Sequence, residues 1–423
     1  MDTIANPMNA GIVRRLIWVR ALRAFGDGYV SLLLPVYLLS LGLTAFQVGV
    51  IATGTLLGSG VLTLFVGLHA WRFGYRSLLL AAALLMTLTG AGFAALTGFW
   101  PLLVVAFVGT LNPSSGDVSV FLPLEHSIMS RTVVDNARTA TFARYSLAGS
   151  LVGALGALFA GLPEIGVQRF GIEPVTAYRL MFVLYGAIGV ASFLLYRNLP
   201  IPDREEAQTA PSALGPSRRI VYTLAALFSL DAFAGGFIVQ SLLALWLLEK
   251  FQLSIAETGL IFFWTGVLTA FSYLVAARIA NRIGLINTMV FTHIPSSLLL
   301  IMVPFAPSLA IAIALLLARS ALSQMDVPTR SSYVMAVVTP PERAAAASIT
   351  SVPRSLASAI SPLMAGYLLS LSGFGWPLIV CGGLKIVYDL LLLVMFRTVR
   401  PPEEMPAASD SSPAASPRVP RSG

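Results

Sequence analysis

The chain has 423 residues, of which 57% are hydrophobic and only 11% are charged. A soluble domain is roughly 45–50% apolar and about 25% charged, so this composition excludes a soluble enzyme, a disordered chain and a repeat solenoid, and leaves a polytopic membrane protein. The net charge of +8 comes from 27 basic and 19 acidic residues, with Lys250 and Lys385 the only lysines. In so apolar a chain it reads as arginines holding loops on the cytoplasmic side, not as a nucleic-acid surface.

Twelve apolar segments are each long enough to cross a bilayer: 16–41, 45–69, 77–97, 101–129, 137–162, 177–197, 219–248, 254–280, 284–305, 307–337, 344–371 and 375–396. Residues 1–10 contain Asp2 and no basic residue, so the first segment reads as a retained span and not as a cleaved signal. Basic residues alternate by side. One set of connections holds Arg14, Arg15, Arg72, Arg76, Arg197 and Arg282 among others, and the opposite set little more than Arg169 and Lys250. The rule that positive loops stay inside places both termini in the cytoplasm; the expected location is a plasma membrane, the inner membrane in a bacterium. Residues 199–218 are polar and Pro-rich and read as a cytoplasmic linker between halves 1–198 and 219–398; the Pro/Ser/Ala-rich tail 399–423 reads as disordered.

The two halves repeat at an offset of 208–210 residues. Ala24-Phe25 corresponds to Ala232-Phe233, Leu43…Gln47-Val48-Gly49 to Leu253…Glu257-Thr258-Gly259, Arg72-Phe73-Gly74 to Arg282-Ile283-Gly284, and Asp117-Val118 to Asp326-Val327. Two six-span halves in parallel repeat are a transporter layout with a binding site between the halves near the bilayer midplane.

On these features the chain resembles the major facilitator superfamily over about residues 12–398. The family's loop between spans two and three reads G-x-x-x-D-R-x-G-x-R. Here the matching positions are Gly67, Trp71, Arg72, Gly74 and Arg76, with Trp71 in place of the acid. The repeat loop keeps Arg282 and Gly284 and has Asn281 in the acid's place. The resemblance implies an all-α membrane fold of twelve helices in two pseudo-symmetric halves, a small-molecule substrate, alternating access, and a site lined by spans one, four, seven and ten. Aromatic residues of spans one and seven (Phe25, Tyr29, Tyr37, Phe233, Phe237, Trp246), with Trp264 of span eight, are candidates to line it. No cofactor is implied, and the chain is expected to act as a monomer.

A charge at a helix centre costs about 2.5–3.5 kcal/mol on insertion scales, so charges inside spans should face the bundle or a wet cavity. Span one carries Arg20, Arg23 and Asp27 on one face, and Arg23 and Asp27 are spaced to pair as i,i+4. Arg20 is also placed to snorkel to the interface. Asp231 in span seven has no basic residue within a turn. Arg23, Asp27, Asp231 and Arg319 are therefore candidates for the substrate and proton pathway, with Asp27 and Asp231 the proton sites. Asp117, Glu125, Arg144, Asp326, Arg330 and Arg354 are expected to form a cytoplasmic gate network, with the repeat-related Asp117 and Asp326 tied to Arg144 and Arg354. Lys385 and Asp389, also i,i+4, read as a structural pair. The interruption Asn112-Pro113-Ser114-Ser115-Gly116 inside span four frees backbone groups and marks a site.

There is no phosphate-binding G-x-x-x-x-G-K-[ST] loop, no metal-ligand spacing among His69, His126 and His293, and no nucleophile–base constellation, so neither an ATP-driven pump nor an enzyme is expected. Small-residue faces at Gly149, Gly153, Gly156 and Gly161 in span five, and at Ser358, Ser361, Ala365 and Gly366 in span eleven, let helices approach closely; the family resemblance places such motifs in proton-driven exporters and so implies a proton-coupled exporter. The alternatives are a proton-coupled importer or facilitator, and a non-transporting sensor on the same fold.

Overall fold

The computed structural model describes residues 7–114, 119–133, 135–199, 215–339 and 342–397, leaving aside some side chains within helices. Over these residues the chain is a bundle of helices. The first half contains α1 (Pro7–Ser40), α2 (Ala45–Phe73), α3 (Tyr75–Ala95), α4 (Phe99–Val108), α5 (Phe121–Thr132), α6 (Asp135–Phe159), α7 (Leu162–Phe170) and α8 (Pro174–Arg197). The second contains α9 (Arg218–Gly236), α10 (Gln240–Phe251), α11 (Ile255–Ile283), α12 (Leu285–Met302), α13 (Leu309–Leu322), α14 (Asp326–Val337), α15 (Arg343–Leu371) and α16 (Trp376–Phe396). Nine stretches among the described residues are helical, long and apolar enough to cross a membrane. Span four, split into α4 and α5, span ten, split into α13 and α14, and α15 complete the twelve crossings expected. The expected linker and tail lie largely outside the described residues.

Breaks are more numerous than the sequence led us to expect. The Pro113 interruption in span four is present, but span seven also breaks, at 237–239, and span ten at 323–325. The short helix α7, beyond the end of span five, was not expected either. A break in a membrane span is tolerated only where its freed backbone groups find partners. Here two breaks serve each other: the Pro113 carbonyl accepts the backbone N–H of Ser241, in the first turn of α10, at 3.0 Å. That bond joins span four of one half to span seven of the other.

The repeat shows in the loop glycines. Gly74 (φ 71°) and Gly284 (φ 89°) each precede the next helix with a positive φ that an L side chain rarely adopts. Arg76 donates to the Arg197 carbonyl, and Arg15 to the Asn198 carbonyl at 2.5 Å, so the end of α8 is tied to α1 and α3. Arg282 is exposed. The surroundings of Gly67 and the side chain of Arg72 fall outside the described residues.

The halves meet along α6 with α11, α2 with α15, and α1 with α10. Within the first half, span five lies directly on span one: a Cβ at Gly28 would collide with the Gly153 carbonyl, so the two backbones approach as only small residues allow. The small-residue face of span five is thus used for packing against α1.

Candidate functional site

The first half holds a closed ion-pair clamp. Arg23 of α1 donates to Glu125 of α5 at 2.5 Å, with side chains 2% and 0% exposed. The same carboxylate accepts hydrogen bonds from the hydroxyls of Tyr145 and, at 2.6 Å, Tyr196. Phe121, one turn before Glu125 on the same face of α5, lies under the guanidinium at 3.9 Å. Arg23 therefore pairs across helices, not with Asp27 as its spacing suggested. Arg20 is buried beside the Tyr145 ring, 5.5 Å from its centroid, and does not snorkel to the interface. Asp27 is buried, and its Oδ1 lies 3.5 Å from the hydroxyl of Tyr185. The same hydroxyl donates at 3.0 Å to the Thr110 carbonyl, in the break of span four.

The second half holds an extended chain of charges. Asp231 of α9 accepts from Arg330 of α14 at 2.9 Å and from Lys385 of α16 at 2.6 Å. Arg330 also binds Asp326, one turn back, at 3.1 Å. Lys385 lies 3.2 Å from His293 Nε2, and His293 Nδ1 lies 3.1 Å from Asp389. With the ammonium donating, Nε2 is the acceptor, so Nδ1 carries the hydrogen and donates it to Asp389. Asp326, Arg330, Asp231, Lys385, His293 and Asp389 thus run in contact across four helices.

Several expectations are corrected here. Asp326 binds Arg330, and Arg354 forms no ion pair among the described residues. Arg144 is exposed on α6 and has no ion pair among the described residues. Asp117 lies outside the described residues, so its expected tie to Arg144 does too. Lys385 and Asp389 do not bond each other; each turns to His293. Sequence spacing carried no signal for His293, which stands alone in span nine.

A cavity of about 890 Å³ lies between the halves. It runs from the level of Gly236 and Phe262 toward the end that carries the termini, where Thr63, Tyr273 and Thr350 line it. Spans one, four, seven and ten contribute Arg20, Ser114, Asp231 and Arg319. The aromatic residues expected in its wall are elsewhere: Tyr29 and Tyr37 pack inside the first half, and Trp264 is 51% exposed on the outer surface. Among the described residues the rings in the wall are those of Phe228, Phe262 and Tyr273, with the imidazoles of His126 and His293.

The opposite end is sealed by the contacts of α6 with α11 and of α2 with α15. A cap on α11 adds to the seal. Glu164 of α7 accepts from the backbone N–H of Ile255 at 2.6 Å and of Ala256 at 3.3 Å. Ser254 accepts from Glu257 N–H at 3.1 Å. The first-turn donors of α11 are thereby satisfied, two of them by a carboxylate from the other half.

Comparison with known proteins agrees with this architecture. The family model described as Major Facilitator Superfamily matches residues 16–229 and 224–421. The chain belongs to the Major Facilitator Superfamily. It is 24% identical over 420 residues, 90% of its own length and 93% of the other's, to YJR124C, an uncharacterized membrane protein of Saccharomyces cerevisiae. Among solved structures, it overlays a bacterial homolog of the human lysosomal transporter Spinster, in an inward-facing and occupied conformation. The TM-score is 0.72 at 14% identity, covering 93% of this chain and 98% of that one. It overlays the nucleoside transporter NupG with a TM-score of 0.69 at 14% identity, covering 91% and 99%. At such identities the overlays speak for the fold. Membership of the superfamily makes this chain a multi-pass membrane transporter of a small molecule, and not an enzyme.

Proposed function

We propose that the chain is a proton-coupled secondary transporter that exports a small molecule by alternating access, with both termini in the cytoplasm and the cavity open to that side. The orientation rests on the arginine bias of the loops. Export is favoured by the glycine face of span five packed on span one, where proton-driven exporters of the superfamily carry their glycine motif.

The observation that carries proton coupling is the position of Tyr185. Its hydroxyl has one hydrogen and two acceptors, the Asp27 carboxylate at 3.5 Å and the Thr110 carbonyl at 3.0 Å. Asp27 has no ion pair among the described residues, and a buried carboxyl group of this kind in a membrane protein is suited to carry a proton. When Asp27 is ionised it competes for the Tyr185 hydrogen; when it is protonated, Tyr185 is left to Thr110. Thr110 lies three residues before Pro113, whose carbonyl holds Ser241 of the other half. A proton on Asp27 thereby biases the seam between the halves, and the bias is the differential affinity that alternating access needs. In this reading Asp231 stays charged between Arg330 and Lys385 and organises the wall of the cavity.

The test is proton flux in energised everted vesicles, read with a pH-sensitive dye against weak acids, lipophilic cations and neutral metabolites. A compound that dissipates the gradient only when the protein is present establishes antiport. Asp27→Asn is expected to abolish that response while the protein still inserts. Coupling that survives Asp27→Asn removes the assignment.

A further inference from the structure

The walls of the cavity separate the charges unequally. Of the buried acids in the bundle, Glu125 is closed into its clamp, Asp27 lies beneath Tyr185, and Asp389 stands behind His293; none of the three lines the cavity. Among the described residues two carboxylates line it, Asp231 and Asp326, against five cations: Arg20, Arg319, Arg330, Arg354 and Lys385. Both acids are already neutralised, by Arg330 and Lys385. Arg319 and Arg354 have no ion pair and no side-chain hydrogen bond among the described residues, and the buried Nε of Arg354 is unpartnered. Ser297, 1% exposed and also in the wall, has a hydroxyl without a partner.

An uncompensated guanidinium at membrane depth is expensive unless something negative or wet meets it. Guanidinium forks fit the planar oxygen pairs of carboxylates and phosphates. We propose that this cavity binds a small oxyanion, a carboxylate or a phosphate, drawn to the uncompensated guanidinium groups of Arg319 and Arg354 in its wall, with serine hydroxyls of the wall to complete its hydrogen bonds. The proposal rests on the transport reading above and names its substrate class. The cavity volume lies within the usual range of roughly 300–1,000 Å³ for small-molecule sites.

The charge preference can be read without knowing the substrate. In the full-length purified protein, Cys381→Ser removes the one native thiol and Ser355→Cys places a new one in the cavity wall. Its rate of reaction with anionic sulfonatoethyl methanethiosulfonate is compared with that of the cationic trimethylammonium analogue, each normalised to a free thiol. The anionic reagent is expected to be favoured about tenfold, as a focused positive field requires, and less so as salt is added. Arg319→Gln with Arg354→Gln brings the ratio toward one, whereas Arg319→Lys with Arg354→Lys keeps it. Sodium phosphate or sodium succinate then slows the labelling and tetraphenylphosphonium chloride does not; phosphate alone or succinate alone tells the two headgroups apart. A ratio at or below one overturns the proposal. So does a ratio indifferent to both arginines, or protection by neither anion. Labelling needs no turnover, so these results leave proton coupling standing, and a failed vesicle assay leaves the charge preference standing.

Discussion

The two halves solve the same problem with opposite polarity. In the first, a cation on span one meets an anion on span four, Arg23 with Glu125; in the second, an anion on span seven meets a cation on span ten, Asp231 with Arg330. Arg23 and Asp231 stand 208 residues apart, within the repeat offset. The difference lies in what surrounds each pair. Glu125 is completed by two tyrosine hydroxyls, which are neutral, so the clamp is self-contained. Asp231 is completed by Lys385, which leads on to His293 and Asp389. The first half reads as a fixed support, the second as the charged face of the cavity.

The largest effect should come from breaking the second pair. Removing one partner of a buried ion pair costs about 3–5 kcal/mol, because the other charge is left unpaired. Asp231→Asn leaves Lys385 and Arg330 without their shared carboxylate. It is expected to lower the thermal midpoint in detergent and to abolish transport. Adding Lys385→Met should restore little, since Arg330 and His293 still face the gap. A double variant with the wild-type midpoint and wild-type transport would remove the distinction between the halves.

In the first half the single variant Arg23→Met should destabilise by a similar amount, about 3–5 kcal/mol. Here, however, the pair is isolated. Arg23→Met with Glu125→Gln removes both charges; the Gln oxygen still accepts from one tyrosine hydroxyl and its amide N–H donates to the oxygen of the other, so much of the midpoint should return. A double-mutant cycle on the purified protein measures this directly. Failure of the rescue would mean that the clamp also has a charge partner beyond these four side chains.

How much of this was legible in the sequence depends on distance along the chain. Hydropathy gives the spans, and the Arg-x-Gly repeats anticipate the positive φ at Gly74 and Gly284, because those signals are local. Partners are not local. Arg23 had Asp27 at ideal helical spacing yet turns to Glu125, 102 residues away, because the packing of α1 against α5 decides which carboxylate is within reach. Lys385 and Asp389 likewise separate to hold His293. The cavity-facing aromatics were misplaced for a related reason. The rotation of span one is set by its contact with span five at Gly28 and Gly153, and that rotation turns Tyr29 and Tyr37 into the half. The break of span seven follows Gly235-Gly236, a signal present in the sequence, whereas the break of span ten at 323–325 has neither Pro nor Gly within it.

A smaller effect tests the seam that joins the halves. Glu164 caps α11 from the other half, and losing such a cap typically costs about 0.5–2 kcal/mol. Glu164→Ala should shift the population toward the state open at the far end, with little change in the thermal midpoint, since α11 keeps its own Ser254 cap. Thiol accessibility of a cysteine placed at Ala160, fully buried beside Gly161 where that residue lies against Ala256 of α11, reads the shift: its labelling rises if the cap holds the seal and stays flat if it does not.

The smallest effect separates the ends of the halves that carry the termini. In the first half that end is tied by Arg15 and Arg76 on carbonyl oxygens, and arginine keeps its charge at any pH used in practice. In the second, Glu342 before α15 accepts from the Ser217 hydroxyl at 2.6 Å, the Thr339 hydroxyl at 2.6 Å and the Gly215 N–H. The hydrogen bond from Ser217, followed by that from Thr339, stabilises the ionised form and holds the carboxyl down to about 2, against an ordinary 4.5. The unfolded chain then binds the proton first, so the contribution is complete above about 4.5 and is lost as the pH falls through about 2. The difference in thermal midpoint between wild type and Glu342→Gln should therefore be flat above that window and close within it. A matching pair of measurements on Arg76→Gln should show a difference that does not close, because no group in that tie titrates there; closure in both would place the acid sensitivity in the bundle as a whole and not at Glu342.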